Sequence, residues 1–250
     1  MDFNFRKPLH LFALLCLLVS LGLFVALPVY SLFLPAQDYA SMISTLQPFQ
    51  KTVFEMFIVA SQLILVFLGM ILVPLLWYKL VNNVSLKEMF SRMKLRRAGL
   101  QTAFLWGVGA IIVTFAVFLV MGFIYTSVTG VNSEDVGNIP DLVKLFSVPS
   151  LYLIVIVQPF CEEFFFRGFL LDKITGIGGT PLAILSTALL FGISHLTYTY
   201  AYTAVAAVML GLIFAVVVVK TKNLYSTIFA HTVINIASLT LYFLGKAVGY

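Results

Sequence analysis

Charge is scarce in this chain: Asp, Glu, Lys and Arg make up only 10% of its 250 residues, while 61% are hydrophobic and 15% aromatic. Soluble domains carry roughly 25% charged residues, so this shortage excludes a water-facing globular surface and points to a membrane protein. Cysteine is nearly missing too. Cys16 and Cys161 both fall inside apolar runs, which argues against a disulfide framework. Internal repeats and low-complexity tracts are absent, so pattern gives no support to an inverted-repeat transporter. The apolar runs leave no room for a separate soluble domain, and residues 1–250 are expected to form a single membrane domain. Their lengths rule out a closed barrel. What remains is an all-α, polytopic bundle of about seven to eight transmembrane helices.

Apolar runs of about 20 residues lie near 9–34, 53–78, 100–125, 149–174, 180–198, 201–219 and 224–247. The first follows Arg6 and Lys7. It exceeds the roughly 7–15 residue core of a signal peptide and lacks a clear small-residue cleavage site, so it is expected to stay as an anchor. Positive charge is retained on the cytoplasmic side. With the N-terminus inside, twelve of the fifteen Lys and Arg residues are internal, Arg167 among them, and only Lys51, Lys144 and Lys246 lie outside. A cytoplasmic N-terminus and an external C-terminus are therefore expected for this multi-pass protein. The same bias accounts for the net charge of +5, and no nucleic-acid partner is needed.

Two connections have character. The segment VSLKEMFSRMKLRRAG places Leu86, Met89, Phe90 and Met93 on one helical face, which predicts a helix lying against the inner lipid interface. The outer connection holds Glu134, Asp135 and Asp141 among turn formers and reads as a connector or a cover.

Ionisable residues within the runs are few, and they cluster late in the chain: Glu162, Glu163 and Arg167, then His195, then His231. Each such charge costs about 2.5–3.5 kcal/mol to insert, so the default for a group of them is a functional site. Glu163 and Arg167 are four apart and share a face, where they offset each other's desolvation. Glu162 lies about 100° around the helix and is left as a free carboxylate, suited to a general base. Phe191 and His195 share a face, as do His231 and Asn235. An amide and an imidazole N–H on one face suit an oxyanion formed when water attacks a carbonyl. Glu162 would take the proton from that water while His195 holds it. Taken singly, an intramembrane His or Asn is often only interhelical glue; with two glutamates the hydrolytic reading is stronger. Zinc held by Glu162, His195 and His231 is the chemical rival. With no HExxH motif and the three groups on three helices, metal-independent chemistry without a cofactor is preferred.

In order on successive late helices, Glu162-Glu163-x-x-x-Arg167, Phe191-x-x-x-His195 and His231-x-x-x-Asn235 resemble the three motifs of the CPBP intramembrane proteases. That family includes CaaX prenyl endopeptidases and bacteriocin-processing or self-immunity proteins. The resemblance covers about residues 149–240. It implies a helical bundle with the site recessed in the membrane, open to a peptide or lipidated-protein substrate from the cytoplasm and surrounded by membrane lipids. It implies Glu162 and His195 as the water-activating pair, His231 and Asn235 as oxyanion donors, and Glu163, Arg167 and Phe191 in support. The family has been described both as metalloproteases and as glutamate-dependent proteases. The alternative from another class is a non-proteolytic scaffold or bacteriocin immunity protein. One expectation concerns depth: if the fifth run begins at 180, His195 lies near its outer end, and meeting Glu162 requires this helix to begin near Leu185 or later, or to tilt or kink.

Overall fold

The computed structural model describes residues 3–35, 41, 43, 45–131, 139–196 and 201–248; Glu134 and Asp135 lie outside them. Among the described residues the elements are helical and no strand occurs. In chain order they are α1 (Pro8–Ser31), α2 (Pro48–Leu80), α3 (Leu86–Arg92), α4 (Leu100–Thr129), α5 (Ile139–Leu145), α6 (148–178), α7 (180–193), α8 (Ala201–Thr221) and α9 (Tyr225–Ala247). The outward surface is apolar: Leu119, Val120, Phe123 and Val128 on α4 are largely exposed, as suits side chains facing lipid. Six helices are long and apolar enough to cross a membrane.

One of the six, Val148–Ile193, runs for 46 residues. Straight, it would measure about 69 Å, twice a hydrocarbon core of about 30 Å. It breaks at Gly179, whose φ of 80° and ψ of 172° belong to a region open essentially to glycine alone. Glu162 and His195 are 33 residues apart, a distance of about 50 Å in an unbroken helix, yet their side chains stand 4.0 Å apart. The chain therefore doubles back at Gly179, and α6 and α7 are the two limbs of a hairpin. The six helices thus supply seven membrane-inserted segments.

This hairpin corrects the expected depth of His195. Helix α7 does begin at about 180, not later. What the hydropathy pattern missed is that α6 runs on to 178, beyond its apolar run. Leu171 and Ala183 from the two limbs pack with Val218 of α8 and with Leu224, so the tip of the hairpin stands about 6–12 Å beyond that layer, counted along the shorter and the longer limb. Glu162 and His195 are 17 and 16 residues from Gly179, and both limbs return to the same depth.

Tight helix contacts hold the hairpin. A Cβ added to Gly211 of α8 would come within 2.9 Å of the Ala188 Cα on α7, the close backbone approach that small residues permit in membranes. Near the end of α2, the Tyr78 hydroxyl donates to Asp172 at 2.8 Å. Beside them, Lys173 donates to Asn82 at 3.1 Å and lies over the Tyr78 ring at 3.9 Å, which fastens α2 to the hairpin.

The interfacial helix is shorter than expected. Ser85 caps α3 by accepting from the Glu88 N–H, and the helix ends before Lys94, which takes a positive φ of 61°. Met89 and Met93 are buried but Leu86 is exposed. The segment that leaves α3 is latched to the α8–α9 turn: the Leu224 N–H donates to Lys94 O, and the Asn223 side chain donates to the carbonyls of Arg96 and Ala98. Burial there pushes the Lys94 ammonium below the usual lysine range, with Lys222 and Arg96 adding to the shift and Asp172 opposing it.

Replacing Gly179 by Ala should lower stability by about 1–3 kcal/mol through backbone strain. Gly176→Ala, in the same limb with nothing within 4 Å of the added Cβ, should be neutral or stabilising by up to about 1 kcal/mol. Thermal unfolding of the purified protein in detergent checks both.

Candidate active site

Three elements bring the ionisable groups together. Glu162 and Glu163 close the regular part of α6, which then widens into a π-helical stretch, Phe164–Leu170, all of whose residues are buried. Such widened turns recur at functional sites. His195 follows the end of α7. His231 lies six residues into α9, on the far side of Glu163.

Arg167 is wholly inaccessible. Its Nη1 donates to Glu163 Oε1 at 2.8 Å, and both side chains are sealed from solvent. Its guanidinium also stacks on the Phe191 ring at 4.1 Å, with Phe214 at 5.6 Å, so aromatic faces take part of the charge that water would otherwise solvate. The sequence count had placed Arg167 among cytoplasmic loop charges. Its burial removes it from that tally and leaves eleven internal Lys and Arg residues.

Both histidines have fixed tautomers. His231 Nδ1 lies 3.0 Å from Glu163 Oε1, and a carboxylate only accepts, so Nδ1 carries the hydrogen. Nε2 then faces Glu162 Oε2 at 3.7 Å. His195 Nδ1 lies 2.8 Å from the Phe191 carbonyl and must likewise donate, which turns its Nε2 towards Glu162 Oε1 at 4.0 Å. Phe191 packs against both rings, with centroids 4.5 Å from His195 and 5.8 Å from His231. Glu162 and His231 are buried, whereas the His195 side chain retains 32% exposure and marks the accessible side of the cluster.

The structure therefore gathers Glu162, Glu163, Arg167, Phe191, His195 and His231. Asn235 sits one turn beyond His231 on α9, half-buried, and its amide has no hydrogen-bond partner among the described residues. Phe164, Phe165 and Phe166 are almost wholly buried and serve as packing. Two further polar residues are linked to Glu162 and are not singled out by sequence: Gln158 donates to Glu162 Oε1 at 2.6 Å, and Gln62 on α2 donates in turn to Gln158 at 3.0 Å. The signal was present, since Gln158 is four residues before Glu162 and both glutamines interrupt apolar runs.

Other polar groups are structural. Glu55 accepts from the backbone N–H and hydroxyl of Ser147, at 2.7 and 2.6 Å, and so ties α2 to the start of α6. His10 accepts from the Asn4 N–H. As for metal, no group of three or more His, Cys, Asp or Glu side chains among the described residues has the spacing to hold an ion. Two ligands on a tetrahedral zinc lie about 3.3 Å apart, closer than either histidine nitrogen is to the Glu162 carboxylate.

Residues 144–237 match the sequence model of a family described as Type II CAAX prenyl endopeptidase Rce1-like. No curated protein and no solved structure matches the chain.

Removing one partner of the buried pair should be severe. Arg167→Met leaves the Glu163 carboxylate uncompensated and is expected to cost about 3–5 kcal/mol, while Glu163→Gln combined with Arg167→Met should recover at least half of that loss. A double-mutant cycle by reversible unfolding in mixed detergent measures the coupling.

Proposed function

From the premise that over residues 144–237 this chain belongs to the Rce1-like CAAX protease family, and is a membrane-embedded endopeptidase of that kind, we propose that Glu162 is the general base of peptide-bond hydrolysis. The observation that carries the reading is the pair of acceptors formed by Glu162 Oε1 and His195 Nε2, 4.0 Å apart. One water donates to both at about 2.8 Å each, which directs its two hydrogens at the protein and its lone pairs at the substrate carbonyl. Glu162 takes the proton as the oxygen attacks.

The developing oxyanion is met by the unengaged amide of Asn235. His231 contributes a second donor when its Nε2 is protonated, because its Nδ1 hydrogen is committed to Glu163. The proton on Glu162 is then delivered to the leaving amine. Glu163, Arg167 and Phe191 hold the imidazoles in register and do not touch the scissile bond. The hydrolysis is metal-independent in this reading, and zinc held by Glu162, His195 and His231 is the competing arrangement.

The site lies about 10–18 Å below the layer of Leu171, Ala183, Val218 and Leu224, counted at 1.5 Å per residue. Eleven of the fifteen basic residues, Lys94, Lys220 and Lys222 among them, fall on that side of the bundle or on the N-terminus. This distribution supports a cytoplasmic N-terminus and a cytoplasmic entrance. The substrate in this reading is a prenylated CaaX C-terminus or a small leader peptide.

Purified protein should cleave a fluorogenic farnesylated CaaX peptide. Glu162→Gln is expected to lower kcat by about 10²–10⁴-fold and Asn235→Ala by about 10²–10³-fold, with activity unchanged by exhaustive chelation. Full activity in Glu162→Gln would sink the assignment and favour a scaffold; loss of wild-type activity on chelation would instead establish the zinc site.

A further inference from the structure

Gln62 is the one side chain by which α2 reaches the catalytic carboxylate. It does so through Gln158: Gln62 Nε2 donates to Gln158 Oε1 at 3.0 Å, and Gln158 Nε2 donates to Glu162 Oε1 at 2.6 Å. Direction along this chain is set by chemistry. An ionised carboxylate only accepts, and a primary amide has one donating and one accepting end. With Glu162 ionised, Gln158 must turn its NH₂ towards it and its carbonyl away. Gln62 then has to meet that carbonyl with its own NH₂. Without Gln62, nothing fixes the outer end of Gln158, and the amide is free to turn over and oppose the carboxylate with a second acceptor. The relay adds no charge, since residues 56–77 of α2 contain no Asp, Glu, Lys, Arg or His.

We propose that Gln62 and Gln158 are positioning residues for the hydrolysis described above: acting through Gln158, Gln62 holds Glu162 Oε1 in the orientation that shares a water with His195. The inference rests on Glu162 being the base, but its structural half stands apart from catalysis. The consequence is that the reactivity of α6 depends on where α2 lies against it.

Two measurements on the full-length protein test it. In steady-state cleavage of the farnesylated peptide, Gln62→Met should lower kcat about tenfold, the scale of one hydrogen bond to a charged group, with KM within twofold. Gln62→Asn keeps a polar group in the helix but falls about one methylene short, so it should show the same loss. Gln158→Met combined with Gln62→Met should be no slower than Gln158→Met alone. Wild-type kcat in both Gln62 variants, or multiplied losses in the double variant, would overturn the proposal.

Independently of activity, the side-chain amide of Gln158, assigned in glutamine-labelled protein by its loss in Gln158→Met, should give a downfield, exchange-protected proton signal that disappears in Gln62→Met. An unchanged Gln158 signal there would also overturn the relay. If the wild type leaves the peptide uncut, the functional reading fails on its own account, and the amide signals still decide the relay.

Discussion

The buried pair of Glu163 and Arg167 is the interaction on which the rest of the site depends. It joins the middle of α6 to three other helices at once: Phe191 of α7 covers the guanidinium, Phe214 of α8 approaches it from a second side, and His231 of α9 shares the same carboxylate oxygen. A charge removed from water is costly unless paired and hydrogen-bonded, and here each neighbour that lowers the cost also places a functional side chain. The Glu163 carboxylate sets the tautomer of His231, and the ring that stacks on Arg167 belongs to the residue whose carbonyl sets the tautomer of His195. Stability and the geometry of the candidate site are therefore carried by the same few contacts.

Backbone shape does the remaining work. The π-helical stretch after Glu163 widens α6 where four phenylalanines and the arginine must all be buried. A second such stretch, Leu68–Leu72 in α2, exposes the Gly69 carbonyl to the Ser20 hydroxyl at 3.1 Å and locks α1 to α2. The glycine turn then returns α7 alongside α6, so that His195 meets a carboxylate far away in sequence.

Much of this was legible in the sequence, for a physical reason. In an apolar chain each ionisable residue within a run is conspicuous, and helical spacing alone pairs Glu163 with Arg167 and Phe191 with His195. Three features escaped. Hydropathy reports how long a run is apolar, not where a helix stops, so α6 was ended too early and the hairpin tip was missed. Arg167 was counted as a loop charge because burial depends on partners from other helices. Gln62 and Gln158 were overlooked because uncharged amides carry little signal singly, and their meaning lies in a contact between residues 96 apart.

The hairpin also makes chain length itself a working dimension. Glu162 and His195 reach the same depth because the two limbs that meet at Gly179 contain nearly equal numbers of residues. One residue inserted into either limb would slide its end by about 1.5 Å and rotate it by about 100°, turning Glu162 or His195 away from the other. The interval from 162 to 195 thus works as a ruler: the number of residues in each limb, and not only their identity, decides whether the two side chains meet.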